Sequence, residues 1–223
     1  MHSQAVQSPL AFLFDMDGVI VDSMPMHTHA WNLYMERLGL PRSEDLENRM
    51  HGRRNDEIVR EFIGDRLSPQ EVFNHGAAKE ALYRELMADR LAEKLVPGVV
   101  DFIGRHESVP MAVGTNAEPA NVDFVLDGAG LRRHFKAIVD GMQVKRPKPS
   151  PDVYLRAADL LGVDPRSCVV FEDSPAGVEA ARAAGTRVVG VETHGELAGV
   201  DFRIRNFEDR DLDRWLAATG ARA

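Results

Sequence analysis

The chain has 223 residues, of which 44% are hydrophobic and 28% charged, proportions that are typical of a globular protein with its own core. Its formal net charge of −8 argues against nucleic acid and anionic membrane surfaces as partners, and no apolar run approaches the roughly 18 residues of a membrane span. A single cysteine excludes an internal disulfide, and residues 1–9 lack a signal-peptide pattern, so we predict a cytoplasmic protein and expect a monomer.

Five short apolar runs bounded by turn residues predict strands that are buried on both faces of a parallel sheet. They span residues 10–14, 111–114, 137–139, 168–171 and 187–191. Helical patterns lie between the later runs: Ser150 and Ser174, each followed by proline, are predicted helix caps, and Gly162 and Gly185 follow those helices. Cys168 is predicted to be a buried side chain and not a nucleophile. The alternation predicts an α/β fold with a doubly wound, Rossmann-like parallel sheet.

Residues 23–95 interrupt this alternation, because they show helical periodicity and no strand pattern. The stretch is too long for a crossover loop. We therefore predict a helical cap domain over 23–95, inserted into a core domain formed by 1–22 and 96–223.

Candidate catalytic residues follow the first two predicted strands. Asp15 and Asp17 lie beyond the carboxyl end of the first strand, where two carboxylates suit a nucleophile and an acid/base; the alternative is a solvated turn around Gly18. Thr115 and Asn116 follow the second strand, where a hydroxyl can donate to a phosphate oxygen; the alternative is a helix cap.

Charged candidates come later in the chain. Lys148, between two prolines, could neutralise a phosphate and a nucleophile, although such lysines are commonly surface charges. Glu172 and Asp173 follow the fourth strand, and their hard oxygens suit Mg²⁺; alternatively they complement the dipole of the helix that begins near Ser174. Because the ends of parallel strands share one edge of a sheet, we expect all four groups to meet there.

Two motifs give these residues a family context. Residues 14–23, Phe-Asp-Met-Asp-Gly-Val-Ile-Val-Asp-Ser, and residues 171–177, Phe-Glu-Asp-Ser-Pro-Ala-Gly, resemble the haloacid dehalogenase superfamily, in particular the branch of β-phosphoglucomutase and small sugar-phosphate phosphatases. The resemblance extends over about residues 10–207 and is supported more weakly by Val-Gly-Thr-Asn at 113–116.

The resemblance implies a role for each core residue. Asp15 would take the phosphoryl group, Asp17 would protonate the leaving oxygen and then activate water, and Thr115 and Lys148 would hold the phosphoryl group. Mg²⁺ would be bound by Asp15, the backbone carbonyl of Asp17, Asp173 and Glu172. An acid at position 17 indicates phosphate esters, because the leaving oxygen of an ester needs a proton.

The resemblance also implies candidate substrate-binding residues, which are Asn116 and the cap residues His27, Gly52, Asn55 and Lys79. The ordinary alternatives are a packed or surface histidine at 27 and a solvated lysine at 79. In the mutase, a cap arginine and a serine-lysine pair grip a second phosphate.

Here those grip positions hold different residues. Aligned on Gly52, Asn55 occupies the arginine position, and Ala117 and Glu118 replace the serine-lysine pair. We therefore predict a phosphatase acting on a small phosphorylated metabolite, a sugar or polyol phosphate. Arg53 or Arg54 could replace the missing arginine, which keeps a mutase open. A receiver-like phosphoacceptor is the non-enzymatic alternative, but it has no need of a large helical insertion.

Overall fold

A parallel sheet lies at the centre of the structure, a computed structural model that describes residues 11–41, 46, 49 and 53–219. The strands are β1 (Ala11–Phe14), β2 (Met111–Gly114), β3 (Ala137–Val139), β4 (Cys168–Glu172), β5 (Arg187–Val191) and β6 (Phe202–Ile204). They are ordered β3-β2-β1-β4-β5-β6, and every neighbouring pair is parallel.

Nine α-helices have both of their ends in the described part of the chain. They are α1 (Met24–Arg37), α2 (Asn55–Phe62), α3 (Pro69–Met87), α4 (Leu91–Lys94), α5 (Val99–Arg105), α6 (Pro119–Gly128), α7 (Asp152–Leu161), α8 (Pro175–Ala183) and α9 (Arg210–Ala218). Within the described residues, no helix has both the length and the apolar character that crossing a membrane would require.

Apolar cores cover both faces of the sheet. Because successive strand residues point to opposite faces, Phe12 and Phe14 of β1 pack into one core with Phe102 of α5, while Leu13 packs into the other with Tyr154 of α7. The prediction of a doubly wound α/β fold is thereby confirmed. Cys168 is fully buried in β4, as predicted, and burial raises the pKa of its thiol to about 12.

Helices α1 to α4 occupy the stretch that was predicted to be helical. Trp31, Met35, Val59 and Val72 belong to an apolar cluster of α1, α2 and α3, whereas other residues of these helices and of α4, among them Tyr83 and Leu91, pack into the core on one face of the sheet. No strand is assigned to the described residues between 23 and 95. The predicted helical character of residues 23–95 therefore agrees with the secondary structure, and their role as an inserted cap domain stays a prediction.

Some local predictions hold and others are wrong. Ser174 caps α8 by accepting a hydrogen bond from the Gly177 N–H at 3.0 Å, as predicted. Ser150 does not cap α7, whose preceding residue is Pro151; the Ser150 hydroxyl instead donates to the Asp152 carboxylate. β6 was not predicted, because its residues Phe202–Ile204 place an exposed arginine between two apolar residues and so lack the continuous apolar run by which the other strands were predicted.

Candidate active site

The candidate site lies at the carboxyl edge of the sheet, beside β1. From β1 the chain order runs outward to β2 and β3 on one side and to β4, β5 and β6 on the other, and such a switch point leaves a crevice beyond the strand ends. Asp15, Thr115 and Asp173 follow β1, β2 and β4, and they line one cavity with Asp17 and Lys148. The structure thus brings the predicted core residues together.

Lys148 connects two of the carboxylates. Its Nζ atom lies 2.9 Å from Asp15 Oδ1 and 2.6 Å from Glu172 Oε1, and its side chain is 2% exposed. The backbone N–H of Lys148 donates to Asn116 Oδ1 at 3.1 Å, which fixes the loop that carries the lysine. Lys148 is therefore a buried, oriented ammonium and not a surface charge.

Glu172 is fully buried and receives five hydrogen bonds. Lys148 and the Tyr154 hydroxyl donate to Oε1, and the N–H groups of Asp173 and Ser174 and the Ser174 hydroxyl donate to Oε2. Burial by itself would raise the pKa of Glu172, but Lys148 and these hydrogen bonds lower it. Because both carboxylate oxygens of Glu172 already accept hydrogen bonds, its main role is to hold Lys148 in position.

Gly177 makes this anchor possible. A Cβ atom at this position would lie 1.8 Å from Glu172 Oε1, so only glycine lets the first turn of α8 approach the carboxylate. Gly18 plays a similar part next to Asp15, since its φ is +81° and a Cβ atom there would lie 1.8 Å from Asp173 Oδ2.

We predict that Tyr154→Phe lowers the free energy of unfolding by about 1.5–3 kcal/mol, because it removes a buried hydrogen bond of 2.6 Å to a charged carboxylate. Urea denaturation measures the change. Tyr34→Phe is the control: its hydroxyl bonds the half-buried His75, so a loss of about 0.5–1.5 kcal/mol is expected. Equal losses in both variants would contradict the role assigned to Tyr154.

The acidic residues at this edge could hold a metal ion. Asp15, Glu172 and Asp173 are buried, and each offers a carboxylate oxygen within 4.8 Å of the others. Burial raises the pKa of Asp15 well above its usual range. The charges of Glu172 and Asp173 raise this pKa further, and the charge of Lys148 lowers it without reversing the shift. Asp15 Oδ1 also receives no well-aligned hydrogen bond despite its closeness to Lys148. A divalent cation bound here would lower the pKa of Asp15 and would give its Oδ1 atom a partner.

Asp17 has different surroundings. Its Oδ1 accepts a hydrogen bond of 2.6 Å from the Ser23 hydroxyl, and His27 Nε2 lies 3.6 Å away. Burial opposes ionisation of Asp17, but the nearby His27 Nε2–H group and the hydrogen bond from Ser23 bring its pKa below the usual range. Ser23 was not among the site residues predicted from the sequence, although it lies within the motif at residues 14–23 and could have been chosen on that basis.

His27 and Lys79 also line the cavity. Lys79 Nζ lies 3.0 Å from His27 Nδ1, and its side chain is only 2% exposed, so this lysine is not solvated. Because an ammonium can only donate, His27 Nδ1 accepts, and the neutral ring carries its proton on Nε2, toward Asp17. The His27 ring stacks on Tyr83 with centroids 3.8 Å apart, which holds its orientation.

Thr115 and Asn116 are not helix caps, because the residue before α6 is Glu118. The Thr115 hydroxyl accepts a hydrogen bond of 3.1 Å from the Ala117 N–H. A hydroxyl can accept and donate at once, so Thr115 can still donate its proton to another acceptor. Both residues line the cavity. Their geometry fits the holding of an anion at the end of β2.

The predicted cap residues have mixed outcomes. Asn55 lines the cavity and donates to Glu80, whereas Gly52 lies outside the described residues. Arg53 lines the same cavity and is paired with Glu57 and Glu61. Arg54 lines a separate groove with Phe73 and Met142.

Sequence reasoning also missed Glu80, Asn121 and Tyr154. Glu80 is buried and accepts hydrogen bonds from Asn55, Lys79 and Asn121. A glutamate beside a lysine on a charged helix carries no sequence signal for burial, since such residues are usually solvated.

Comparisons with known proteins agree with this geometry. The model of haloacid dehalogenase-like hydrolases matches residues 9–185. Fructose-1-phosphate phosphatase YqaB of Escherichia coli is 37% identical over 179 residues, which cover 80% of this chain and 94% of that protein. β-Phosphoglucomutase of Bacillus subtilis is 29% identical over 211 residues, covering 91% and 92%. A crystal structure of β-phosphoglucomutase from Clostridium difficile has a TM-score of 0.83 at 22% identity, covering 95% of this chain and 97% of that one, and shares the fold.

The matches confirm the family resemblance that the motifs at 14–23 and 171–177 predict. They also confirm the prediction of an enzyme of the phosphoryl-transfer type, against the receiver-like alternative. The chain belongs to the haloacid dehalogenase-like hydrolases.

Proposed function

We propose that this protein is a Mg²⁺-dependent phosphatase that hydrolyses a small sugar or polyol phosphate through a phosphoaspartate on Asp15. The observation that carries the proposal is the contrast between two aspartates in one cavity. Asp15 lies against Lys148 and belongs to the acidic cluster with Glu172 and Asp173. Asp17, in contrast, is hydrogen-bonded to Ser23 and lies near His27. Two carboxylates in different surroundings are suited to different steps of one reaction.

In the first step, a carboxylate oxygen of Asp15 forms a bond to phosphorus while the bond to the sugar oxygen breaks. Lys148 neutralises Asp15 and the incoming phosphate, and the Thr115 hydroxyl donates to a phosphoryl oxygen. Asp17 gives its proton to the leaving oxygen; the arrival of a phosphate dianion nearby raises the pKa of Asp17 and favours the protonated form.

In the second step, Asp17 accepts a proton from water, whose oxygen attacks the phosphoaspartate. Its lowered pKa suits this role, because the carboxylate is then the stable form. His27 and Ser23 both contact Oδ1 of Asp17, and the second carboxylate oxygen takes part in neither contact. Asp15 is regenerated and inorganic phosphate is released.

A divalent cation fits the donor set at this edge. Asp15 and Asp173 offer hard, negatively charged oxygens, and the backbone carbonyl of Asp17 is our third candidate ligand. When bound, Mg²⁺ would supply positive charge that keeps Asp15 ionised and offsets the charge of the phosphoryl group. We assign Glu172 to Lys148 first, since its oxygens already accept five hydrogen bonds.

We expect Asp17→Asn to slow hydrolysis of sugar phosphates far more than hydrolysis of p-nitrophenyl phosphate. Asparagine cannot protonate the leaving oxygen, and p-nitrophenolate leaves without a proton. The measurement is the formation of the phosphoenzyme from each substrate in a single turnover, so that the impaired water step does not mask the difference. Ser23→Ala, which removes a hydrogen bond to the same carboxylate, should give a smaller loss in the same direction. Equal losses for both substrates would argue against an acid role for Asp17.

We further propose that residues 23–95 form a cap domain over a core of 1–22 and 96–223. Two backbone hydrogen bonds join the places where the chain leaves and returns: Asp22 N–H to Lys94 O at 2.7 Å and Val96 N–H to Ile20 O at 3.0 Å. Hinges at these crossings, near Ser23 and 95–98, would let the cap open.

We keep the prediction of a cytoplasmic monomer. Cell fractionation tests the localisation, and light scattering tests the oligomeric state.

A mutase is the second candidate, favoured by the match to the Bacillus subtilis enzyme along 91% of this chain. Against it, Asn55 stands at the arginine position, and Arg53 is occupied by Glu57 and Glu61. Glu118 stands where a lysine would meet the second phosphate, and it is paired with Arg84.

A screen over sugar and polyol phosphates, with Mg²⁺ and with EDTA, tests the proposal. We expect phosphate release from at least one member of the panel, loss of release with EDTA, and recovery with added Mg²⁺. Phosphate release that is unchanged by EDTA would contradict the proposed Mg²⁺ dependence. Absence of phosphate release from every member of the panel would contradict the proposed phosphatase activity.

A further inference from the structure

Glu80 places a fixed carboxylate in the wall of the cavity. Its side chain belongs to α3 and is 4% exposed. Lys79 Nζ and Asn55 Nδ2 each donate to Oε1 at 2.6 Å, and Asn121 Nδ2 donates to Oε2 at 2.7 Å. Donors from α2, α3 and α6 therefore hold this carboxylate in one position.

The carboxylate of Glu80 is ionised under all ordinary conditions. Burial alone would raise its pKa, but the charge of Lys79 and the hydrogen bonds from Lys79 and Asn121 lower it from 4.5 to about 2. The negative charge is lost only when the pH falls through that value. Because the group is buried, salt screens its field weakly.

The cations around the cavity do not offset a further negative charge. Among the described residues that line it, the basic side chains are His27, Arg53, Lys79 and Lys148. Each already has a carboxylate partner, at 3.6 Å, 3.3 Å, 2.6 Å and 2.9 Å respectively. A second anionic group on a substrate would therefore find no unpaired cation among these side chains, because Glu80 itself neutralises Lys79.

We propose that Glu80 is a specificity determinant, which admits phosphates whose far end is neutral and hydroxylated and rejects those that carry a second phosphate or a carboxylate. This inference rests on the proposed phosphatase function. An ionised carboxylate has about four acceptor sites, and three donors fill only part of them, so a substrate hydroxyl can still donate to Glu80. An anionic group cannot donate to Glu80, and Glu80 keeps the nearby Lys79 ammonium from acting as its partner.

The test compares glucitol 6-phosphate with 6-phosphogluconate, which have the same carbon chain and differ at the far end, an alcohol against a carboxylate. We expect the wild type to prefer the alcohol in kcat/KM by at least about tenfold, and Glu80→Gln to reduce that preference by about tenfold, the equivalent of about 1.4 kcal/mol. Glu85→Gln, an exposed residue of the same helix, is the matched control and should leave the preference unchanged.

Binding of both phosphates is also measured by calorimetry with Ca²⁺ in place of Mg²⁺, so that affinity is read without turnover. If the wild type hydrolyses neither compound, the proposed function loses support for this class, while the ratio of the two dissociation constants still decides the inference. No preference in the wild type, or the same preference in Glu80→Gln, would overturn it.

A second variant covers the case in which Glu80→Gln does not fold, as judged by circular dichroism. Asn55→Lys adds a cation next to Glu80 without removing the carboxylate. We expect it to relax the preference against 6-phosphogluconate in the same direction. A preference that stays at the wild-type value in folded Asn55→Lys would overturn the inference.

Discussion

Asp15→Asn should retain less than about 1% of the wild-type turnover, because an amide is not a nucleophile toward phosphorus and loss of a nucleophile normally costs several orders of magnitude. The side chain keeps its size, and Asp15 lies at the end of a strand whose residues are fully buried, so we expect the fold to persist. Initial rates of phosphate release, with circular dichroism on the same samples, measure the effect.

Asp89→Asn is the control for this variant, since Asp89 is exposed in the turn that follows α3. It should have wild-type turnover. An Asp15→Asn enzyme that keeps more than about 1% of activity would contradict covalent catalysis at Asp15.

Asp173→Asn should raise the Mg²⁺ concentration needed for half-maximal activity by at least about tenfold, which corresponds to about 1.4 kcal/mol of lost binding. The amide keeps an oxygen but loses the charge that a hard cation prefers. Asp173 is 4% exposed and belongs to the acidic group with Asp15, so the lost charge is not replaced by solvent. A Mg²⁺ titration of the rate at saturating substrate gives the half-maximal concentration.

Glu179→Gln on α8 is the matched control for Asp173→Asn, because Glu179 is acidic, close in sequence and exposed. Its Mg²⁺ requirement should equal that of the wild type. If Asp173→Asn also titrates like the wild type, Asp173 does not hold the metal.

The strands that carry the site were predictable because each is a short apolar run closed by polar residues. Predicted and observed bounds agree for β2, β3 and β5, and β4 differs by one residue at Glu172. Parallel strands bring their carboxyl ends to one edge, so Asp15, Thr115 and Asp173 could be placed together without coordinates.

The cap side of the site could not be predicted in the same way. Burial of Lys79 and Glu80 depends on how α1, α3 and α6 pack, and a single sequence does not encode that packing in a local pattern. Tyr154 has an ordinary apolar signature on α7, although its hydroxyl donates a hydrogen bond to Glu172. Polar networks formed between separate elements are where sequence reasoning is weakest, because partners such as Asn55, Glu80 and Asn121 are distant along the chain.

The fate of the phosphoryl group tests the central claim most directly. The enzyme is given β-glucose 1-phosphate and fructose 1-phosphate in separate assays, each with Mg²⁺, and the first also with the glucose bisphosphate that primes a mutase. Free phosphate and glucose 6-phosphate are measured in the same tube, the latter with a coupled dehydrogenase. We predict net release of phosphate and no accumulation of glucose 6-phosphate. Isomerisation that clearly outpaces phosphate release would contradict the account and would identify a mutase.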